Sequence, residues 1–131
     1  MPRKKKKSNT EILSEEIVAA MLDKKAKEPV IIDFTKIQNY IADFFIICHG
    51  TSKTHAEAIA DHVIMEVKKK TGQVPWHKEG FENAEWILID YADIIVHIFQ
   101  ESKRKFYNLE QLWGDAEIMK IDPNPKKQVI L

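Results

Sequence analysis

The spacing of hydrophobic positions changes along the chain and marks out the elements. Leu13, Ile17, Ala20, Met21 and Lys24 line one side of a helix. Ser8 and Glu11 have capping-box spacing, so this helix is expected to open there and to run to about Lys27, ahead of Pro29. Val30–Phe34 is a short strand candidate and Phe44–His49 a stronger one. After the turn Gly50-Thr51-Ser52, the residues Ala56, Ile59, Ala60, Val63 and Val67 recur at the spacing of one buried helix face. That helix ends in Lys68, Lys69 and Lys70, with Gly72 as its stop. Positions 73–85 are a polar connection with a short strand near Val74–His77. Two β-rich runs follow, Trp86–Asp90 and Ile94–Phe99, and then short helices over Glu101–Tyr107 and Leu109–Ile118. The order predicts a single α/β domain, a small mixed β-sheet with flanking helices.

The run from Trp86 to Phe99 carries the most information. With Tyr91 and Ala92 as loop residues, Trp86 is expected opposite His97, Leu88 opposite Ile95 and Asp90 opposite Asp93. One face then holds Ile87, Ile89, Ile94, Val96 and Ile98, which is purely aliphatic and suited to lie under helices. The other holds Trp86, Leu88, Asp90, Asp93, Ile95, His97 and Phe99, suited to a second core layer or a recognition surface. The turn lacks the Gly or Asn that tight hairpin turns prefer.

A chain of 131 residues fits one core. No apolar run approaches the roughly 20 residues of a membrane span, and the start Met-Pro-Arg-Lys-Lys-Lys-Lys does not read as a secretory signal. The single cysteine, Cys48, excludes an internal disulfide framework and fits a reducing compartment. The zero net charge hides an arrangement. Seven of the twenty basic residues lie at the ends, at Arg3, Lys4 to Lys7, Lys126 and Lys127, while all twenty acids lie between. Residues 8–121 are thus expected to form an acidic domain, with a basic tail at 1–7 and a C-terminal tail at 122–131. An acidic body repels bare phosphate and suits a basic protein surface.

Candidate chemistry is thin. Cys48 and His49 are strand neighbours on opposite faces and cannot act as nucleophile and base, so Cys48 is expected to be a buried structural thiol. His55 and His62 stand about two turns apart on a helix, too far to share an ion, and are expected to be solvated. Gly50-Thr51-Ser52, between a strand and a helix, could hold phosphate on backbone N–H groups, with Asp90 and Asp93 as magnesium ligands; the plainer reading is that Thr51 or Ser52 caps the helix. Phe106, Tyr107, Leu109, Leu112 and Trp113, with Arg104 nearby, could close the core or anchor an interface.

Several stretches together resemble the ribosomal silencing factor family, also called the Iojap family. They are Asp43-Phe-Phe-Ile-Ile47, Gly50-Thr51-Ser52, Glu79-Gly80, Trp86-Ile-Leu-Ile-Asp-Tyr91, Asp93-Ile-Ile-Val-His-Ile-Phe99, Arg104-Lys-Phe-Tyr107 and Leu109-Glu-Gln-Leu-Trp-Gly-Asp-Ala116. The likeness runs from about Ile12 to Ile118. It implies a nucleotidyltransferase-like fold without enzymatic activity, bound to the large ribosomal subunit through one of its proteins. There it would sterically block joining of the small subunit and lower translation when nutrients are scarce. The chain departs from the family pattern at Cys48 and His49, where small residues are usual, and at Ala92, where glycine is.

Three functions follow. The leading one is a cytoplasmic, ribosome-associated occluding factor that needs no cofactor and no metal. Its partner-binding residues would be Trp86, Leu88, Asp90, Tyr91, Asp93 and His97, with Tyr107 and Trp113 bracing them. The basic tail would add a secondary contact to ribosomal RNA. The second is an enzyme using magnesium and a nucleotide at Thr51, Ser52, Asp90 and Asp93. The third is a homodimer through the exposed aromatic face.

Overall fold

In the computed structural model, which describes residues 7–37, 41–112 and 114–122, ten elements build one mixed sheet with helices against it. Helix α1 (Asn9–Asp23) opens where expected, with Ser8 Oγ accepting the Glu11 N–H at 3.1 Å. It ends at Asp23 and not near Lys27. The Lys25 N–H donates to Leu22 O at 3.0 Å and the Ala26 N–H to Met21 O at 3.0 Å, while Lys25 takes φ 57°. This paired bond pattern stops a helix and folds the next apolar residue, here buried Ala26, back onto it. A lysine in the left-handed position gives no warning in the sequence.

Strands β1 (Lys27–Asp33) and β2 (Phe44–Gly50) pair antiparallel, and helix α2 (Lys53–Thr71) follows. Ser52 caps α2 by accepting the His55 N–H at 3.1 Å, and Gly72 closes it at φ 78°. Gly50 is needed for the tight entry, because a Cβ there would stand 2.8 Å from the Ala56 nitrogen. After α2 come β3 (His77–Glu79), β4 (Trp86–Asp90) and β5 (Ile94–Gln100), then α3 (Glu101–Tyr107), α4 (Leu109–Leu112) and β6 (Glu117–Lys120). The expected strand near Val74–His77 lies slightly later. The expected helix over Leu109–Ile118 stops at Leu112, and its C-terminal part pairs with the open edge of β1. That pairing is long-range and invisible to local periodicity.

The strand order is β3-β4-β5-β2-β1-β6. The central strands β2 and β5 run parallel, and the other pairs are antiparallel. Both central strands are buried on each face, which explains their unbroken apolar runs. Helices α1 and α2 cover one face over Ile46, Cys48, Ile87, Ile89, Ile94, Val96 and Ile98. The opposite face gathers Ile32, Phe34, Phe45, Ile47, Ile95, Phe99 and Leu109, with Trp86 and Leu88 at its margin.

The two hairpin faces are therefore those the alternation predicts, but the pairing is displaced by two residues. Trp86 pairs with Phe99, Leu88 with His97 and Asp90 with Ile95. A shift of two leaves each side chain on its own face. The cause is the turn, which centres on Ala92 and Asp93. Ala92 takes φ 74°, the Asp93 N–H donates to Tyr91 O at 3.0 Å, and the Ala92 N–H donates to Asp90 Oδ1 at 2.7 Å. The aspartate and the strained alanine do what Gly or Asn ordinarily does.

Candidate functional site

Trp86 organises the side of the sheet opposite α1 and α2. Its indole N–H donates to His97 Nδ1 at 3.0 Å, although the two are diagonal and not direct cross-strand partners. Its ring lies 5.1 Å from Phe99 and 4.6 Å from Tyr107, centroid to centroid. His97 in turn packs 4.6 Å from Phe45, which meets Phe34 edge-on at 4.7 Å. A continuous aromatic stack thus runs from the core to the surface and holds Trp86 in place before any partner arrives.

His97 carries that stack at a cost. Burial pushes its pKa down to about 4, so the ring is neutral, and its Nε2 is buried without a hydrogen-bond partner among the described residues. Because Nδ1 accepts the indole N–H, the proton sits on Nε2.

Around Trp86 the surface is shallow, apolar and acidic. One hollow of about 290 Å³ lies between Glu79, Gly80, Trp86 and Leu88, and another of about 270 Å³ between Glu82, Glu85, Trp86 and Tyr107. Glu79 sits opposite Leu88 in the β3–β4 pair. Gly80 makes the turn that brings these acids in: it has φ 87°, and a Cβ there would fall 2.0 Å from Trp86 O. Helix α3 springs directly from β5 and presents Tyr107 to Trp86, with Phe106 77% exposed beside it and Leu112 66% exposed just beyond. Large exposed apolar side chains grouped at an acidic rim mark a contact surface for another macromolecule.

The residues expected to form this surface divide. Trp86, Leu88 and Tyr107 come together, half-buried or exposed, and His97 supports them from beneath. Asp90 lies at the far end of β4, where its carboxylate shapes the turn. Tyr91 departs from the expectation, since it is buried at 3% exposure among the residues under the helices. Asp93 also leaves the aromatic face, and its carboxylate meets Thr10 Oγ1 of α1 at 3.4 Å. Both differences follow from the shifted turn. Trp113 lies outside the described residues. Phe106 and Leu112, read from the sequence as possible interface anchors, stand at this surface, and Glu79, Glu82 and Glu85 join them. Of these acids only Glu79 was marked in the sequence, within the Glu79-Gly80 stretch of the family likeness.

The constellation considered for nucleotide chemistry does not assemble. Thr51 and Ser52 stand at the C-terminal end of β2, whereas Asp90 and Asp93 adjoin its N-terminal end, as the pairing of Phe44 with Ile94 fixes. At about 3.3 Å per residue the two groups are roughly 20 Å apart. The turn's own groups serve α2: the Thr51 N–H donates to His55 Nδ1 at 3.0 Å. His55 and His62 are likewise not simply solvated. His55 Nε2 donates to Lys24 O at 2.7 Å and His62 Nε2 stands 3.1 Å from Asp23 Oδ2, so both clasp the end of α1. Among the described residues, Asp23, His62 and Glu66 are the one trio close enough to share an ion, and Lys70 already stands 3.8 Å from Glu66. Cys48 is fully buried, its thiol pushed up to about 12 by desolvation, and His49 turns to the other face, as strand alternation requires.

A family model described as ribosomal silencing factor during starvation matches residues 6–129. The chain belongs to the ribosomal silencing factor family. A ribosomal silencing factor RsfS from Halalkalibacterium halodurans is 44% identical over 115 residues, covering 88% of this chain and 96% of that protein. A mouse relative, called mitochondrial assembly of ribosomal large subunit protein 1, is 27% identical over 99 residues, covering 74% of this chain and 43% of that one. A crystal structure of a Chromobacterium violaceum protein superposes with a TM-score of 0.76 at 28% identity, over 82% of this chain and 88% of that one. The silencing-factor resemblance of the motifs is thereby established for nearly the whole chain, and the mixed α/β architecture with it. Among the described residues no helix is long and apolar enough to cross a membrane.

Proposed function

We propose that this chain silences ribosomes by occlusion. Its Trp86–Leu88–Tyr107 face docks on a basic protein of the large subunit, and the bulk of the domain then prevents the small subunit from joining. Translation falls as a result when nutrients are limiting. The observation that carries this reading is the pre-organised, half-buried indole, set among apolar neighbours and rimmed by Glu79, Glu82 and Glu85. Aromatic anchors held rigid in an apolar centre carry most of the energy of protein interfaces, and complementary charge at the rim selects the partner and speeds the encounter.

On this reading the nucleotidyltransferase-like character of the fold is architectural and the domain performs no chemistry. The protein works in the cytoplasm on ribosomes, and the basic residues before Ser8 add a contact to ribosomal RNA that strengthens binding without choosing the site. When no ribosome is present, the same face is the one through which two copies would pair.

Sedimentation with separated subunits tests the proposal. The wild-type protein should travel with large subunits and stay behind with small ones. Leu88→Asp, which places a charge in the apolar centre, should remove at least tenfold of the affinity, and Glu82→Lys should slow association. A folded Leu88→Asp variant that still travels with large subunits would place the contact elsewhere.

A further inference from the structure

Along α3, lined by Glu101, Arg104 and Lys105, lies a hollow of about 670 Å³, within the range of small-molecule sites. We propose that it binds a small monocarboxylate with an apolar body. The argument starts from Arg104, which is only 8% exposed although permanently charged. A charge so far from water is held only if its donors are used. Three of its five N–H groups are: Nε donates to Glu110 at 3.1 Å, and Nη1 donates to Lys27 O at 3.2 Å and to His49 Nδ1 at 3.0 Å.

The remaining pair, on Nη2, meets no acceptor among the described residues. Nor is Nη2 one of the buried unpartnered atoms among the described residues, and Arg104 lines the groove. His49 repeats the pattern. With Nδ1 accepting from Arg104, its proton is on Nε2, which has no acceptor among the described residues and is not a buried orphan either. Two touching side chains that line one hollow, both more than nine-tenths buried, thus each keep an N–H with no acceptor among the described residues. N–H donors of this kind bind an oxyanion.

The surrounding charges choose which oxyanion. Arg104, Lys105 and Lys120 stand against Glu28, Glu101 and Glu110 around the groove, a balance that leaves no excess for a polyphosphate. Glu28 Oε2, 4.0 Å from His49 Nδ1, would repel a second negative charge directly. One charge fits. The remaining wall is apolar, formed by Pro29, Val30, Ile118 and Ile121, and asks for a hydrocarbon body behind the carboxylate.

The test uses the full chain and 4-methylpentanoate as probe, followed by the side-chain and amide resonances of Arg104 and His49. Its amide, 4-methylpentanamide, has the body without the charge. Acetate has the charge without the body, and inorganic phosphate supplies a different oxyanion. Saturable shifts are expected with 4-methylpentanoate at up to about 10 mM, weak contacts being measurable there, and not with the other three. Arg104 also ties β1, β2 and α3 together, so the variants leave it alone. Ile118→Trp fills the groove without removing a donor and should abolish the shifts. Glu28→Gln removes the competing carboxylate and should tighten binding several-fold. Absence of saturation, equal binding of the amide, binding of phosphate instead, or wild-type binding by Ile118→Trp would each overturn the proposal.

Discussion

His97 supplies a quantitative test of how the aromatic face is held. Burial lowers its pKa from 6.5 to about 4 in the folded protein, while the unfolded chain titrates it near the ordinary value. Between those two values the unfolded state binds a proton that the folded state refuses. Stability therefore rises with pH across this window and is lost as pH falls from about 6.5 to about 4. At about 1.4 kcal/mol per unit, the displacement corresponds to about 3 kcal/mol, a large part of the stability of a domain this size. His97→Gln removes the titration while keeping a side-chain acceptor for the Trp86 indole N–H. Urea unfolding at stepped pH should show the wild type losing about 3 kcal/mol more than the variant between pH 7 and pH 4. His49, also held below its usual value by burial and by Arg104, and the carboxylates are common to both proteins and drop out of the difference. Parallel stability curves would refute the reasoning and would mean that water or a neighbouring group reaches the ring.

Three further outcomes follow from other parts of the molecule. Ala92→Gly should raise stability by about 1 kcal/mol, since φ 74° strains any residue with a Cβ; an unchanged or lower unfolding temperature would contradict the turn. Cys48, fully buried with its thiol pushed up to about 12, should resist a thiol reagent in the native protein and react only as fast as the chain opens, which a reaction as quick as that of a small-molecule thiol would disprove. Deleting residues 2–7 should weaken binding to large subunits more at low salt than at high salt and leave unfolding unchanged, because those charges act through counterion release; equal affinity of both proteins at low salt would remove any role for the tail.

The parts of the fold governed by local pattern were legible. The caps at Ser8, Ser52 and Gly72 and the aliphatic face under the helices all follow from spacing and chemistry that neighbours in sequence provide. What escaped depends on contacts between distant segments or on residues in uncharacteristic backbone states. Lys25 ends α1 and Ala92 turns the hairpin, each with positive φ at a residue that rarely adopts it, so neither stop could be located from composition. Strand β6 has no pattern of its own and exists because β1 offers an edge. For the surface, Trp86, Leu88 and Tyr107 were recoverable because alternation set the first two on one face and the aromatic cluster after the hairpin offered the third. Tyr91 and Asp93 were misplaced by the same two-residue error in the turn. The role of Arg104 could not be seen, since its partners Lys27, His49 and Glu110 come from three separate stretches.

Subunit joining measures the central claim most directly. Light scattering on mixing purified small and large subunits reports the rate and extent of assembly, with the protein pre-bound to the large subunits. The wild type should suppress joining in proportion to its occupancy, and Leu88→Asp, folded by its unfolding temperature, should leave joining at the rate seen with no protein. If the wild type occupies large subunits and joining proceeds unhindered, occlusion is not how this chain acts.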